Sequence, residues 1–237
     1  MFLNFLQQRN RVDVVFLIDA TGAMEICIDA IKLSLGLFFD TLTGDQSPIK
    51  DWRARVIGYR DANCDGDMWL ETNPFVANDL SGLKSQFDRL TPQGGGDEPE
   101  SLLDALSYVC NWGELAPAAS PNSESWRHRA DCKRAIVLFT NATYHPTMSA
   151  KSVNAGGTAD DVISELATKK ITLLMVAPDS ACFDKLTEAD KSVLVKELVS
   201  PFAESLTSLS NADESFQKVM RALAKTLMVE TPDEIIE

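Results

Sequence analysis

The fold is decided by residues 12–24, VDVVFLIDATGAM, in which an apolar run ends abruptly in Asp19 and Thr21. A continuous run of β-branched and apolar residues, as opposed to an alternating one, is typical of a parallel strand that is covered on both faces. A carboxylate and a hydroxyl at the point where such a strand surfaces have two explanations. Either they bind a ligand, or they cap the helix that follows.

Similar runs recur along the chain, and helical patterns separate them. Three more apolar runs predict strands, namely RARVIGYRD (53–61), RAIVLFT (134–140) and ITLLMVAP (171–178). The run MWLETNPFV (68–76) contains Pro74, which predicts an edge strand that pairs as a hairpin with residues 53–61. A short strand is also predicted at 205–209. Apolar stripes at helical spacing lie at 24–42, 80–90, 102–109, 162–166 and from Asn211 onward.

This alternation of strands and helices predicts an α/β fold with a doubly wound sheet. The sheet is expected to be mostly parallel and six-stranded, with one antiparallel edge strand and with helices on both faces. Residues 111–133 interrupt the pattern with Ser, Pro, Ala and charged residues, and they predict an excursion on the surface. No segment has the composition of a linker, so residues 1–237 are predicted to form a single domain.

The charge balance narrows the possible partners. The chain carries 22 basic and 35 acidic side chains, which gives a formal net charge of -13. Such a balance argues against nucleic acid and anionic membranes as partners, because the chain has no basic field that could release counterions. Solvated acidic faces, cation binding and a basic partner surface are all compatible with it.

Cysteine usage and hydropathy predict a soluble cytoplasmic protein. The five cysteines include no C-x-x-C pair, and the chain has two histidines. This pattern predicts reduced, mostly buried thiols, with neither a disulfide framework nor a zinc site. The first residues lack a basic n-region and a cleavage site, and no apolar run approaches the length of a membrane span.

Polar residues follow the predicted strands at the edge where α/β sheets bind ligands. Asp19 and Thr21 follow the first strand, and residues 141–145 (NATYH) follow the strand at 134–140. Residues 92–101 (PQGGGDEPES) place three glycines before a predicted helix. We expect oxygen-bearing side chains from these loops to converge in one polar pocket.

Three motifs, in this order, resemble the von Willebrand factor type A domain in its intracellular and bacterial branches. They are VVFLIDATGAM (14–24), GGGDEPESLLDAL (94–106) and AIVLFTNATYHPT (135–147). The resemblance covers about residues 10–230. It implies a Rossmann-like sheet of five parallel strands and one short antiparallel edge strand. It also implies a metal-ion-dependent adhesion site, in which a D-x-S-x-S motif, a distant Thr and a distant Asp hold Mg²⁺ or Mn²⁺. An acidic residue of a partner protein completes the coordination.

The sequence departs from the family's metal-binding pattern at several positions. Asp19 and Thr21 match the first two ligands, but Ala23 stands where the second hydroxyl belongs. Gly96 falls about where the distant Thr belongs, beside Asp97, and Asn141 replaces the distant Asp. The ligands implied by the resemblance are therefore Asp19, Thr21, Asp97 and Asn141. They predict weak binding of Mg²⁺ or Mn²⁺, and a degenerate site without metal is the alternative.

Each of these residues also has a plain structural explanation. Asp97 and Glu100 have the spacing of a capping box, with Asp97 as the N-cap of a helix. Asp19 could satisfy amides of the turn that follows it. The glycines at 94–96 could permit positive φ angles, or they could allow the backbone to approach a ligand closely.

The resemblance implies a protein-binding module that acts as an adaptor or subunit of a multiprotein assembly. Its docking face would be the loops at the carboxyl ends of the strands, with or without metal. The predicted partner contacts are Ala23, Gly95, Gly96, Thr143, Tyr144 and His145. The alternatives are a structural subunit with a vestigial site and a metal-dependent hydrolase. We predict no enzyme, because the sequence has no evident nucleophile–base pair, G-x-S-x-G motif or P-loop.

Overall fold

Strand β1, Arg11–Asp19, lies inside the sheet and is buried along almost its whole length. It belongs to a computed structural model that describes residues 10–95, 98–190, 192–195 and 214–229. Most of its residues are β-branched or large and apolar, and such side chains favour an extended backbone. The strand predicted at 12–19 is therefore confirmed.

The other elements follow in alternation. The remaining strands are β2 (Asp51–Tyr59), β3 (Leu70–Thr72), β4 (Val76–Ala77), β5 (Lys133–Phe139), β6 (Thr172–Val176) and β7 (Val193–Val195). The helices are α1 (Glu25–Thr43), α2 (Leu80–Arg89), α3 (Leu102–Cys110), α4 (Ala159–Lys169), α5 (Ala181–Leu186) and α6 (Glu214–Met228). Single 3₁₀ turns lie at Gly22–Met24, before α1, and at Gly66–Trp69, before β3.

The sheet confirms the predicted fold class. Its strands are ordered β3–β2–β1–β5–β6–β7, and β1, β2, β5, β6 and β7 run parallel. Both β3 and β4 pair with β2 in the antiparallel direction, so they form one interrupted edge. The chain winds outward in opposite directions from β1 and β5, which places the switch point between these two strands.

The structure differs from the predicted elements at the sheet edges. The predicted run 68–76 is split into β3 and β4 around Pro74, which has no amide hydrogen to donate to β2. At the other edge β7 and helix α5 were not predicted, because both are too short to carry a periodic pattern. The strand predicted at 205–209 lies outside the described residues, as does the predicted helix start at Asn211.

Helices cover both faces of the sheet. Helices α1, α2 and α6 pack on one face against Val14, Phe16 and Ile18 of β1, whereas α3, α4 and α5 pack on the other face against Val15 and Leu17. Successive side chains of a strand point to opposite faces, so a strand covered twice needs apolar residues at consecutive positions.

None of the helices in the described part of the chain is both long and apolar enough to cross a lipid bilayer.

A buried ion network ties the excursion to the amino ends of the strands. Asp13 in β1 is fully buried, and it accepts hydrogen bonds from the guanidinium of Arg53 in β2 and from the backbone amide of Arg127. The Arg127 guanidinium also lies 2.9 Å from Asp13 and 2.8 Å from Asp51. Residues 111–132 contain neither helix nor strand, in agreement with the excursion predicted at 111–133, and Lys133 begins β5. The contacts of Arg127 anchor the last part of this excursion to the sheet.

Candidate functional site

Asp19, the last residue of β1, is the centre of the candidate site. Its side chain is fully buried, one carboxylate oxygen accepts the backbone amide of Thr21 at 3.0 Å, and the other accepts the hydroxyl of Thr140 at 2.8 Å. Burial raises the pKa of Asp19, although the hydrogen bonds from Thr21, Thr140 and the Asn141 amide oppose the shift. The carboxylate therefore sits at the switch point in an environment that disfavours its charge.

Tyr59 ends the neighbouring strand β2 directly beside Asp19. Its hydroxyl is buried near Asp19 and Thr140 and makes no hydrogen bond of good geometry within the described residues. Burial, together with the charges of Asp19 and Glu100, raises the pKa of Tyr59 well above its ordinary value. A hydrogen bond with the Thr140 side chain opposes this shift, so Tyr59 and Asp19 share Thr140 as a neighbour.

The glycine segment closes over these side chains. Gly95 has a φ of +72°, and a Cβ atom there would lie 2.6 Å from the Cβ of Thr21 and 3.1 Å from a carboxylate oxygen of Glu100. Gly94 also has a positive φ and lies against the carboxylate of Asp65. The explanation by positive φ therefore holds for Gly94 and Gly95, and the close approach seen at both is to other residues of the chain.

Gly95→Ala is expected to lower the free energy of unfolding by about 2 kcal/mol, because alanine adds both φ strain and a collision with Thr21. Gly66 provides the control for strain alone, since its φ is +59° and no atom lies within 4 Å of an added Cβ. Gly66→Ala is expected to cost about 1 kcal/mol. Gly22, with open space and no positive φ, should tolerate alanine. Urea unfolding of the three variants measures these changes in the free energy of unfolding. Equal losses of stability in Gly95→Ala and Gly66→Ala would contradict the close packing of Gly95 on Thr21.

A second buried carboxylate, Asp61, lies in the loop after β2. One of its oxygens accepts the amide of Asn63 at 2.9 Å and the hydroxyl of Ser101 at 3.0 Å, and it lies 3.2 Å from Nε2 of His145. Burial by itself would raise the pKa of Asp61, but the hydrogen bonds from Asn63, Cys64, Ser101 and His145 together lower it. The pKa of Asp61 is thus shifted in the opposite direction to that of Asp19.

Backbone hydrogen bonds join the loops around these two carboxylates. The amide of Glu100 donates to the carbonyl of Thr143 at 2.9 Å, and the amide of His145 donates to the carbonyl of Glu100 at 3.1 Å. The amide of Gln93 donates to the carbonyl of Ala20 at 3.1 Å. We call the joined surface the loop platform; it comprises residues 19–24, 61–67, 93–95, 98–101 and 140–149.

The structure brings together some of the predicted site residues and separates others. Asp19 and Thr21 are in contact, but Asn141 is half-buried and reaches Asp19 through its backbone amide alone. Tyr144 is buried, its ring packs against Phe183 and its hydroxyl donates to a backbone carbonyl, so it holds the loop in place. Ala23 is exposed, whereas Gly95, Thr143 and His145 are half-buried. Gly96 and Asp97 lie outside the described residues.

Glu100 has a different place from the one considered in the sequence. Helix α3 begins at Leu102 with Ser101 as its N-cap, so the alternative of a capping box from Asp97 to Glu100 is wrong. Glu100 is instead almost fully buried, and one of its oxygens faces Gly95 beside Thr21. The hydroxyl of the N-cap Ser101 donates to Asp61 at 3.0 Å and makes no capping hydrogen bond to α3.

Sequence reasoning placed Asp61, Glu100 and Ser101 in loops of the docking face, but it named none of them, nor Thr140, as a metal ligand or partner contact. A signal was present for Asp61, because it ends the predicted apolar run 53–61 as Asp19 ends the run 12–19. Thr140 stood at the end of a predicted strand, and its contact with Asp19 depends on β5 being the neighbour of β1. The sequence marked Glu100 only as the partner of Asp97 in a capping box, and it marked Ser101 only by its place after the glycines.

Two of the four predicted metal ligands lie together in the described part of the chain. Asp19 and Thr21 supply a carboxylate and a hydroxyl, and the unsatisfied hydroxyl of Tyr59 lies nearby. Mg²⁺ keeps several waters and needs only one or two carboxylates from the protein. Within the described ranges, however, no three His, Cys, Asp or Glu side chains are arranged to hold a metal. The described residues therefore supply one carboxylate and one hydroxyl of the predicted ligand set.

No model of a known protein family matches the chain, and no curated protein sequence matches it significantly. The resemblance to the von Willebrand factor type A domain accordingly stays a prediction from the three motifs. What the structure adds is the α/β fold and the contact between the first motif and the strand end of the third.

Proposed function

We propose that the protein is a protein-binding module, an adaptor or subunit of a larger assembly, whose docking surface is the loop platform. The observation that supports this most is the way in which buried polar contacts join loops that are distant in sequence. Thr140 bonds Asp19, and Ser101 and His145 both bond Asp61. Such a surface is ordered before a partner arrives, so less conformational entropy is lost on binding.

The proposal includes a weak site for Mg²⁺ or Mn²⁺ at the centre of the platform. Asp19 would supply charge and Thr21 a neutral oxygen, with Asp97 and Asn141 as further predicted ligands. A cation there would give the docking surface a point at which an acidic partner residue could bind. Binding of the partner without metal is the other form of the same proposal.

We also propose that the module works in the cytoplasm. None of the five cysteines, all of which lie in the described ranges, forms a disulfide, and Cys27, Cys110 and Cys132 are buried. Burial raises the pKa of each of these three thiols, which keeps them protonated and unreactive. Free thiols without a disulfide framework suit a reducing compartment.

One observation favours a structural subunit as the second candidate. Both carboxylate oxygens of Asp19 already accept hydrogen bonds from the chain itself, namely from Thr21 and Thr140. A carboxylate whose two oxygens both accept hydrogen bonds within the chain can have a purely structural role. Contacts with other subunits would then lie on the helices or at the sheet edge.

Bulky substitutions at the two ends of the sheet separate these candidates. Ala23→Tyr places a ring on the exposed part of the platform, and Ser120→Tyr places the same ring on the exposed excursion at the opposite end. Tagged wild-type and variant chains would be purified from the source cells, and the retained proteins quantified by mass spectrometry. The binding module predicts that Ala23→Tyr lowers retention of a specific partner by about tenfold while Ser120→Tyr does not. Equal retention by both variants would contradict it and favour the structural subunit.

A further inference from the structure

One buried arginine of β2 has no carboxylate partner within the described residues. The arginines buried there are Arg53, Arg55, Arg60, Arg127 and Arg134. All of them except Arg55 form an ion pair with an aspartate or a glutamate. Arg55 is 3% exposed, and its guanidinium donates one hydrogen bond, to the backbone carbonyl of Glu124 at 3.3 Å. A buried charge without a counter-ion is costly, so Arg55 is a cation whose anion the described chain does not supply.

Arg53 shows which atoms of Arg55 are left over. The two residues lie two positions apart in β2, so their side chains point to the same face of the sheet. The Nε and Nη2 atoms of Arg53 donate to the two oxygens of the Asp13 carboxylate. In Arg55 the Nε atom is buried without a hydrogen bond in the described part of the chain, and Nη1 makes the bond to Glu124. The edge of the guanidinium that holds a carboxylate in Arg53 is therefore unused in Arg55.

Aromatic rings hold the Arg55 guanidinium in place. Its Cζ atom lies over the ring of Trp112, 4.0 Å from the centroid, and over the ring of Phe75, 5.1 Å from the centroid. The ring of Tyr108 is in edge contact with that of Trp112, with their centroids 5.9 Å apart. Contacts with a ring face stabilise the cation without using its N–H groups, which point outward in the guanidinium plane. The unused donors are therefore fixed in direction and suited to a planar anion.

The guanidinium is covered by side chains that themselves reach the surface. Trp112 and Tyr108 are half-buried, and Glu124 is exposed. The carboxylate of Glu124 accepts the hydroxyl of Ser123 at 3.1 Å and forms no ion pair with Arg55. Burial lowers the pKa of Arg55 to about 10, and the charge of Glu124 opposes this shift, so the guanidinium is charged at pH 7. A rotation of these partly exposed side chains would admit a small ligand without any change in the sheet.

We propose that Arg55 is the centre of a binding site for a small carboxylate with a flat apolar body. The carboxylate would accept hydrogen bonds from Nε and Nη2 of Arg55, as Asp13 does from Arg53. The apolar body would lie against the rings of Trp112 and Tyr108, since ligand sites are lined mainly by apolar and aromatic side chains. The site shares no residue with the loop platform, so it does not depend on the proposed docking function.

Three small probes test this site by isothermal titration calorimetry at constant ionic strength. Sodium benzoate has the carboxylate and the flat body, benzamide has the same shape without the charge, and inorganic phosphate is an anion that is not planar. Each probe is titrated into the wild type, Arg55→Met and Arg221→Met. Arg55→Met replaces the buried guanidinium by an apolar chain, and Arg221→Met removes an exposed arginine from α6, on the other face of the sheet.

Benzoate is expected to bind the wild type with a Kd on the order of 1 mM, and benzamide and phosphate about tenfold more weakly. Arg55→Met should weaken benzoate binding by about tenfold or more, whereas Arg221→Met should change it by about twofold or less. Binding should also change the tryptophan fluorescence of the wild type, because Trp112 lies over the guanidinium.

Several results would overturn the proposal. They are the absence of benzoate binding, equal binding of benzoate and benzamide, tighter binding of phosphate, and equal benzoate affinity in Arg55→Met and Arg221→Met. Arg55→Met is expected to fold, because it removes a buried charge that has no counter-ion. If it does not fold, Arg55→Lys keeps the charge but loses the paired donors, and it should weaken benzoate binding by about fivefold or more. Unchanged benzoate affinity in Arg55→Lys would contradict the paired hydrogen bonds.

Discussion

Asp13→Ala is expected to lower the free energy of unfolding by about 3–5 kcal/mol, because it leaves two buried guanidinium groups without their shared carboxylate. Arg53 and Arg127 are both nearly inaccessible to solvent, and both lie within hydrogen-bonding distance of Asp13. Arg53 keeps the carbonyls of Asn122 and Ser125 as acceptors. These neutral acceptors do not replace a charge, so the residual desolvation cost is large.

Asp51 supplies the matched control for this substitution. It pairs with the same Arg127, but its side chain is 40% exposed, so Asp51→Ala should cost about 1 kcal/mol or less. Urea unfolding monitored by circular dichroism measures both. If Asp13→Ala does not fold, Asp13→Ala/Arg53→Met removes one stranded charge and should recover part of the loss. Similar losses for Asp13→Ala and Asp51→Ala would mean that the buried network contributes no more than a surface pair.

The strands and most of the helices could be predicted because burial on two faces leaves a direct trace in the sequence. Every position of β1 from Val12 to Ile18 except Asp13 is apolar, and this run is visible without knowing which strands are neighbours. Short elements at the edges, such as β7, carry too few residues for any period to be recognised. Their existence depends on the strand beside them.

The ion network and half of the site could not be predicted because their members meet only in the folded chain. Asp13 is separated by 40 residues from Arg53 and by 114 residues from Arg127. The contact of Thr140 with Asp19 spans 121 residues and depends on the switch of strand order between β1 and β5. Asp19 itself was identifiable, since a carboxylate that ends a continuous apolar run is conspicuous in any topology.

Asp19→Asn is expected to raise the stability of the folded protein at pH 7 and at the same time to weaken partner binding by about tenfold or more. Burial raises the folded-state pKa of Asp19 above 3.8. The stability that this group contributes is therefore fully present below pH 3.8 and is lost as the pH rises through the folded-state pKa. Asparagine does not titrate, so the variant keeps that stability, and the expected gain at pH 7 is about 1 kcal/mol.

The local hydrogen bonds allow the replacement. The side-chain oxygen of asparagine can still accept the Thr21 amide, and its NH₂ group can donate to the Thr140 hydroxyl oxygen. That hydroxyl can then donate to the Ala142 carbonyl, which lies 3.3 Å away. Urea unfolding at pH 7 and near pH 4 measures the difference between wild type and variant, which should shrink at the lower pH. If Mg²⁺ binds, it should raise the melting temperature of the wild type and not of the variant.

Asp61→Asn is the matched comparison for Asp19→Asn, because the two aspartates lie in neighbouring loops and their pKa values shift in opposite directions. Hydrogen bonds from Asn63, Cys64, Ser101 and His145 lower the pKa of Asp61, so its stabilisation is present above pH 3.8 and is lost as the pH falls through the folded-state value. Asp61→Asn should therefore destabilise the protein at pH 7. If Asp19→Asn stabilises the protein but abolishes partner binding, the carboxylate of Asp19 lowers stability and is needed for binding. That combination is expected of a binding residue. A stability loss at both positions with binding intact would instead assign Asp19 to the fold and favour the structural subunit.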